Sequence, residues 1–221
     1  MKKENLPVRV LMLLTGIFVI AFGVALSIRS NLGTTPISSV PYVYNIVFPA
    51  VTVGTFTILL NLLFVVLQIV LLRKNFKPYL LLQVPVVFIF GWFIDISLYL
   101  LRGAVPGNYL VQWVFCIVSC VIIAFGVFLQ VKANVVMLPG DGLVIALADT
   151  LRKEFGLTKI LFDSFLVLVS LITVLIIREG FHGVREGTVA SALLVGFIVQ
   201  FYQKHIRFVD KLTDTAVAAK E

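Results

Sequence analysis

One block of this sequence occurs twice. Ile20-Ala21-Phe22-Gly23-Val24-Ala25-Leu26-Ser27-Ile28-Arg29-Ser30-Asn31, continuing to Pro36, returns as Ile123-Ala124-Phe125-Gly126-Val127-Phe128-Leu129-Gln130-Val131-Lys132-Ala133-Asn134, continuing to Pro139. At a constant offset of 103, eight of the seventeen positions from Ile20 to Pro36 are identical, and Ile28/Val131 and Arg29/Lys132 are conservative. Apolar residues coincide by chance, but a glycine, an asparagine, a proline and a basic residue in register do so rarely. Such a chain folds two copies of one unit and packs them together.

The unit is a membrane unit. The chain is 60% hydrophobic and 13% charged, against roughly 25% charged in soluble domains. Apolar runs of about 20 residues, enough to cross roughly 30 Å of hydrocarbon, cover about 8–28, 52–72, 79–101, 109–131, 160–177 and 187–203. The net charge of +7 needs no nucleic acid, because cytoplasmic loops of membrane proteins are rich in Lys and Arg. With the N-terminus inside, fourteen basic residues fall on the cytoplasmic side and only Arg29, Arg102, Arg178 and Arg185 outside. Each half then holds three spans, an odd number, so the copies face opposite ways. The expected fold is all-α and polytopic: six transmembrane helices as two inverted three-helix repeats. The halves are 1–104 and 105–208, with a short cytoplasmic tail at 209–221. Outside the best block, Gly16 aligns with Ser119, Thr55 with Thr158 and Asn61 with Ser164; Phe90-Gly91-Trp92 aligns with Val195-Gly196-Phe197, and Asp95 with Gln200, at an offset of 105.

After each first span comes an irregular polar stretch, a proline suited to a first helical turn, and an apolar stretch too short to span. In the first copy this holds Asn31, Thr34, Thr35, Ser38 and Ser39; in the second, Asn134, Gly140, Asp141 and Gly142. Two readings stand. As re-entrant half-helices, their amino ends would meet inside the membrane and offer N–H groups to an anionic or carbonyl-bearing solute. As amphipathic helices on the interface, they would leave Asp141 a solvated cap. In the apolar runs, Asp95, Asn61 and Asp163 are candidate coupling or polar intramembrane residues, because a charge at mid-membrane costs roughly 2.5 to 3.5 kcal/mol. Asp95 alternatively pairs near Arg102, and Asp163 with Lys159 one turn earlier. Arg29 and Lys132 end their helices and either flank the site or snorkel to the headgroups.

Cys116 and Cys120 read as small buried hydrophobes. No metal-ligand spacing, nucleophile elbow or phosphate loop is present in the sequence, so neither an enzyme nor a cofactor is expected. The pair of repeated blocks, with Thr34-Thr35-Pro36 and Pro139-Gly140-Asp141-Gly142, resembles the YitT/YczE/YyaS family of bacterial inner-membrane proteins. That resemblance implies a multi-pass protein of the bacterial cytoplasmic membrane with both termini cytoplasmic, and carries over architecture alone. The leading expectation is a small permease-like protein that binds or moves a small solute, an anion among the candidates, at the repeat interface. Its partners would be the lipid bilayer, the solute, and a second copy or transporter subunits. Ala21-x-x-x-Ala25 is compatible with docking a partner helix, as in a ligand-binding subunit of a larger transporter. A membrane accessory protein for a biosynthetic pathway is the third reading.

Overall fold

The computed structural model describes residues 6–73, 76–177 and 183–206. The expected tail at 209–221 and residues Arg178 to His182 of the loop between α7 and α8 lie outside the described residues. Eight α-helices account for the rest: α1 (Leu6–Arg29), α2 (Pro36–Val47), α3 (Val53–Leu72), α4 (Gln83–Leu100, entered through a 3₁₀ turn at Pro78–Leu82), α5 (Tyr109–Ala133), α6 (Pro139–Leu151), α7 (Phe155–Ile177) and α8 (Glu186–His205). α1–α4 fall within the expected first half and α5–α8 within the expected second half. α7 starts about five residues earlier than its apolar run, because Arg152 takes a left-handed conformation (φ 52°) that ends α6 sharply.

Five of the long segments, α1, α3, Pro78–Leu100, α5 and α7, are long and apolar enough to cross a membrane. This is a multi-pass membrane protein. α8 has 20 residues but carries Gln200, Gln203 and Lys204, and it is not among those five. Its exposed large apolar residues, Val189, Leu193, Phe197 and Phe201, recur every fourth position and form one stripe.

α1 and α5 form the central pair. Gly16 lies against Gly126 and Leu129, whereas Gly23 lies against Ile122 and Ile123; the partner number falls as the chain advances, so the helices run antiparallel. Their contacts are reciprocal. A Cβ on Gly126 would sit 2.7 Å from Cγ1 of Ile20, and one on Gly23 would sit 2.6 Å from Cγ1 of Ile123. Ile20 and Ile123 are repeat equivalents, as are Gly23 and Gly126, so each copy does to the other what is done to it. Small residues permit this close approach between membrane helices. Ser119, Ala21 and Ala25 are fully buried in the bundle as well, so the Ala21-x-x-x-Ala25 stripe packs inside this chain.

The remaining packing follows the same exchange. α4 packs on α1 as α8 packs on α5; α7 packs on α2 as α3 packs on α6; α3 packs on α2 as α7 packs on α6. Two relations are broken among the described residues: α3 packs along α4, but α7 does not pack along α8, and α2 packs on α8 without matching packing of α6 on α4.

Candidate functional site

The short helices start alike. Pro36 and Pro139 occupy the first turns of α2 and α6, where a missing N–H costs nothing, and both are buried. The repeated asparagines do the same local job: Asn31 and Asn134 adopt left-handed backbone (φ 58° and 47°) where each first helix stops, a conformation asparagine tolerates better than most residues. The conserved spacing of these two is therefore that of a helix stop. Asn134 is exposed, and the carbonyl of Asn31 accepts from Arg185 Nη1 at 2.9 Å.

The amino ends of α2 and α6 meet. A Cβ on Gly140 would lie 3.0 Å from Cδ1 of Ile37, and these two positions are repeat equivalents. Around that contact, Val40, Phe64, Leu143 and Leu166 form an apolar cluster. Pro41, inside α2, has no N–H to give the carbonyl of Ile37, four residues back.

Polar side chains ring the apolar centre. In the first copy, Thr35 Oγ1 donates to Ser38 Oγ at 3.0 Å, and Ser39 Oγ lies 2.8 Å from Ser170 Oγ on α7. Thr34 Oγ1 is buried without a hydrogen-bond partner. In the second copy, Gln68 of α3 donates from Nε2 to the carbonyl of Pro139 at 3.0 Å and to Oε1 of Gln83 at 3.2 Å. A Cβ on Gly142 would come within 2.8 Å of Gln83 and 3.0 Å of Gln68. So the first turn of each short helix is met by a polar side chain from the second long helix of the other copy. Asn61 is buried and spends its amide on the carbonyl of Thr57, at 2.9 Å, in its own helix.

The acids divide into two roles. Asp95 does not pair with Arg102, which instead lies over the Tyr99 ring at 4.6 Å. Its carboxylate accepts from Gly54 N–H at 2.8 Å and Thr52 Oγ1 at 2.7 Å, closing the amino end of α3, where unpaired N–H groups and the helix dipole favour negative charge. Asp141, in the first turn of α6, and Asp163, on α7, each lie 3.1 Å from Lys159 Nζ. The i, i+4 pair expected for Asp163 is there, but Asp141 shares the same ammonium. Two carboxylates against one cation leave this trio with a net charge of −1.

Arg29 donates from Nη2 to the carbonyl of Leu98 at 3.1 Å and lines a cavity of about 370 Å³. Asn31, Tyr42, Asn45 and Gln112 supply the other polar lining, with no acid among the lining residues. Four of these five polar residues belong to the first copy; Gln112 comes from the second. A second cavity, mainly apolar, is lined by Ile145, Ala148, Asp149, Lys153 and Phe155. Ile145 and Ala148 are the repeat equivalents of Tyr42 and Asn45, so the two cavities occupy related places on the two halves. Lys132, the equivalent of Arg29, lies 5.9 Å from the Phe128 ring centroid and lines neither cavity.

Of the residues singled out in the sequence, Thr34, Thr35, Ser38, Ser39, Gly140, Asp141 and Gly142 gather at the paired amino ends, and Arg29 and Asn31 at the cavity. Gln68, Gln83, Ser170 and Lys159 were not expected there, nor Tyr42, Asn45 and Gln112 at the cavity. For Gln68 the signal was present: an amide inside a strongly apolar run that nothing local can satisfy.

A family model described as "Family of unknown function (DUF6198)" matches residues 7–204. Among curated proteins the chain is similar to "Uncharacterized protein YyaS" of Bacillus subtilis (strain 168), at 27% identity over 188 residues that cover 85% of this chain and 88% of that protein. No solved structure gives a significant match.

Proposed function

This chain belongs to the family of unknown function DUF6198, and from that premise we propose that it is a small permease-like protein binding a small organic anion between its two repeats. In this reading it sits in the bacterial cytoplasmic membrane as six spans, α8 being the sixth, with both termini cytoplasmic and the repeats inverted. The reciprocal contacts of antiparallel α1 and α5 support inversion. A two-fold axis that exchanges antiparallel helices crosses them at a large angle, so for membrane-spanning helices it lies near the membrane plane.

The observation that carries the functional reading is the Arg29 cavity. A guanidinium at a polar opening between two repeats, flanked by three amides and a phenol and by no lining acid, is matched by a carboxylate or comparable anion. The amino end of α2 follows Arg29 and Asn31 closely in the chain and meets that of α6 through Ile37 and its apolar neighbours, which leave no polar path between them, as in an occluded carrier. The Asp141–Lys159–Asp163 trio is the candidate for coupling to a proton or cation, since Asp95 is spent on capping α3.

The test is a thermal-shift screen of the purified protein against small carboxylates, phosphate and their neutral amide or alcohol analogues. Stabilisation by an anion class that disappears in Arg29→Gln is expected. Equal stabilisation by neutral analogues, or binding unaffected by Arg29→Gln, would remove the anion reading. The accessory-protein reading draws on one observation, the apolar seal between the amino ends; it predicts that no small solute stabilises the protein. The docking of a partner transporter subunit through Ala21 and Ala25 finds no support, because both are buried.

A further inference from the structure

The difference between the α3–α4 and α7–α8 pairs can be read residue by residue. In the first copy, α3 and α4 cross through glycines: a Cβ on Gly54 would collide with the carbonyl of Gly91, and one on Gly91 would lie 2.7 Å from the carbonyl of Gly54. Four residues after Gly91, Asp95 caps the α3 amino end through Gly54 N–H. The second copy carries related parts, although in the repeat register Gly54 aligns with Leu157, so Gly156 sits one position off. Gly156 is the second residue of α7, as Gly54 is of α3. Gly196 is the repeat equivalent of Gly91, and Gln200 follows it by four residues, as Asp95 follows Gly91. Yet around both Gly156 and Gly196 there is open space within 4 Å, and Gln200 is exposed. Val53 and Gly54 are buried, whereas Phe155 and Gly156 are exposed. The chain thus makes a glycine crossing between α3 and α4, while the glycines at similar places on α7 and α8 stand in open space.

We infer that the two halves exchange these states: in a second conformation α7 closes on α8 through Gly156 and Gly196 while α3 opens from α4 at Gly54 and Gly91. This rests on the inverted-repeat reading, under which two equivalent units in unlike conformations define the two ends of an alternating-access motion. Gln200 then takes the place of Asp95, its side-chain oxygen accepting from the amino end of α7. The mainly apolar cavity at Ile145, Ala148 and Phe155 lies at the start of α7, where that closure acts. The Arg29 cavity, which includes Val53 of α3, opens further as α3 leaves.

Gly156 and Gly196 both have room for a side chain, which makes the inference testable in the full chain in lipid nanodiscs. Cys116 and Cys120 are fully buried and can remain. Gly156→Cys with Gly196→Cys is expected to form a disulfide under mild oxidation, at a yield well above the control pair Gly156→Cys with Gly103→Cys. Spin labels on exposed Leu59 of α3 and Phe88 of α4 are expected to report a second, longer distance. A minor state of this kind holds up to about 10% of molecules. Gly196→Leu, which blocks α7 from closing on α8, is expected to remove that longer distance. No disulfide above the control, or a longer α3–α4 distance that survives Gly196→Leu, would overturn the exchange. None of these readouts uses a solute, so a failure here leaves anion binding at Arg29 standing, and failed anion binding leaves the exchange standing.

Discussion

Ile37 and Gly140 hold equivalent positions in the two repeats and touch each other, with a Cβ on Gly140 falling 3.0 Å from Cδ1 of Ile37. Contact between a residue and its own repeat equivalent occurs only near the axis that relates the copies. The central helices make reciprocal contacts instead, Ile20 with Gly126 and Ile123 with Gly23. The amino ends of α2 and α6 are part of the packed interior of this bundle rather than its rim.

A cysteine scan along the first of these segments should reflect that placement. Thr34 and Ser39 are fully buried and Ser38 nearly so, whereas Asn31 is exposed. Asn31→Cys is expected to react readily with a water-soluble maleimide in intact membranes, and Ser39→Cys to resist it until the protein is denatured. Uniform reaction from Asn31 to Ser39 would mean that α2 lies on the membrane surface.

The glycines are expected to differ sharply in their tolerance of alanine. At Gly126 a Cβ would meet the backbone oxygen of Gly16 at 2.7 Å and the backbone nitrogen of Ile20 at 2.8 Å, and backbone cannot rotate away. Overpacking of this kind costs about 1–3 kcal/mol, so Gly126→Ala should lower the melting temperature in detergent clearly. At Gly140 the nearest atom is the end of the Ile37 side chain, which can swing aside, and Gly140→Ala should cost less than about 1 kcal/mol. Equal losses at the two positions would contradict the antiparallel crossing described for α1 and α5.

The legible part of this fold is what repeats. Glycine, asparagine and proline in register marked the close helix approach at Gly23 and Gly126, the left-handed stops at Asn31 and Asn134 and the first-turn prolines of α2 and α6, because each demands a particular residue type. The basic residues gave an expected orientation on similar grounds. What stayed hidden depends on partners distant in sequence. Asp95 looks like a membrane-embedded charge until Gly54 and Thr52, more than forty residues earlier, supply its hydrogen bonds. Asp141 looks like a helix cap until Lys159 arrives from α7. Gln112 shows no sign in its own helix of facing Arg29 across the repeat boundary. α8, with Gln200, Gln203 and Lys204, is not among the five helices apolar enough to cross a membrane, and it does not pack along α7.

Asp95 is predicted to matter for stability and not for chemistry. Asparagine keeps an oxygen for Gly54 N–H, so Asp95→Asn should be nearly neutral, while Asp95→Ala should lose about 0.5–2 kcal/mol, the usual value of a helix amino cap. Melting curves of the two variants, alongside any solute-dependent shift, separate the roles. A solute-dependent shift lost in Asp95→Asn while the melting temperature holds would instead make Asp95 part of the working site.

The trio on α6 and α7 gives the sharpest expectation, because its charges do not cancel. Lys159 is the one cation that Asp141 and Asp163 share, each at 3.1 Å and each partly buried. Removing one partner of a buried ion pair leaves an uncompensated charge, at about 3–5 kcal/mol; partial exposure reduces that figure here. Lys159→Met should therefore destabilise the protein strongly. Combining it with Asp141→Asn and Asp163→Asn should recover much of the loss, since replacing all the charges is far less costly than stranding two of them. A double-mutant cycle on melting temperatures measures the coupling directly. If the trio only holds α6 on α7, the triple variant should regain solute binding together with stability. If it couples solute movement to an ion, the triple variant should bind its solute and yet lose any dependence of transport on a proton gradient, measured in proteoliposomes.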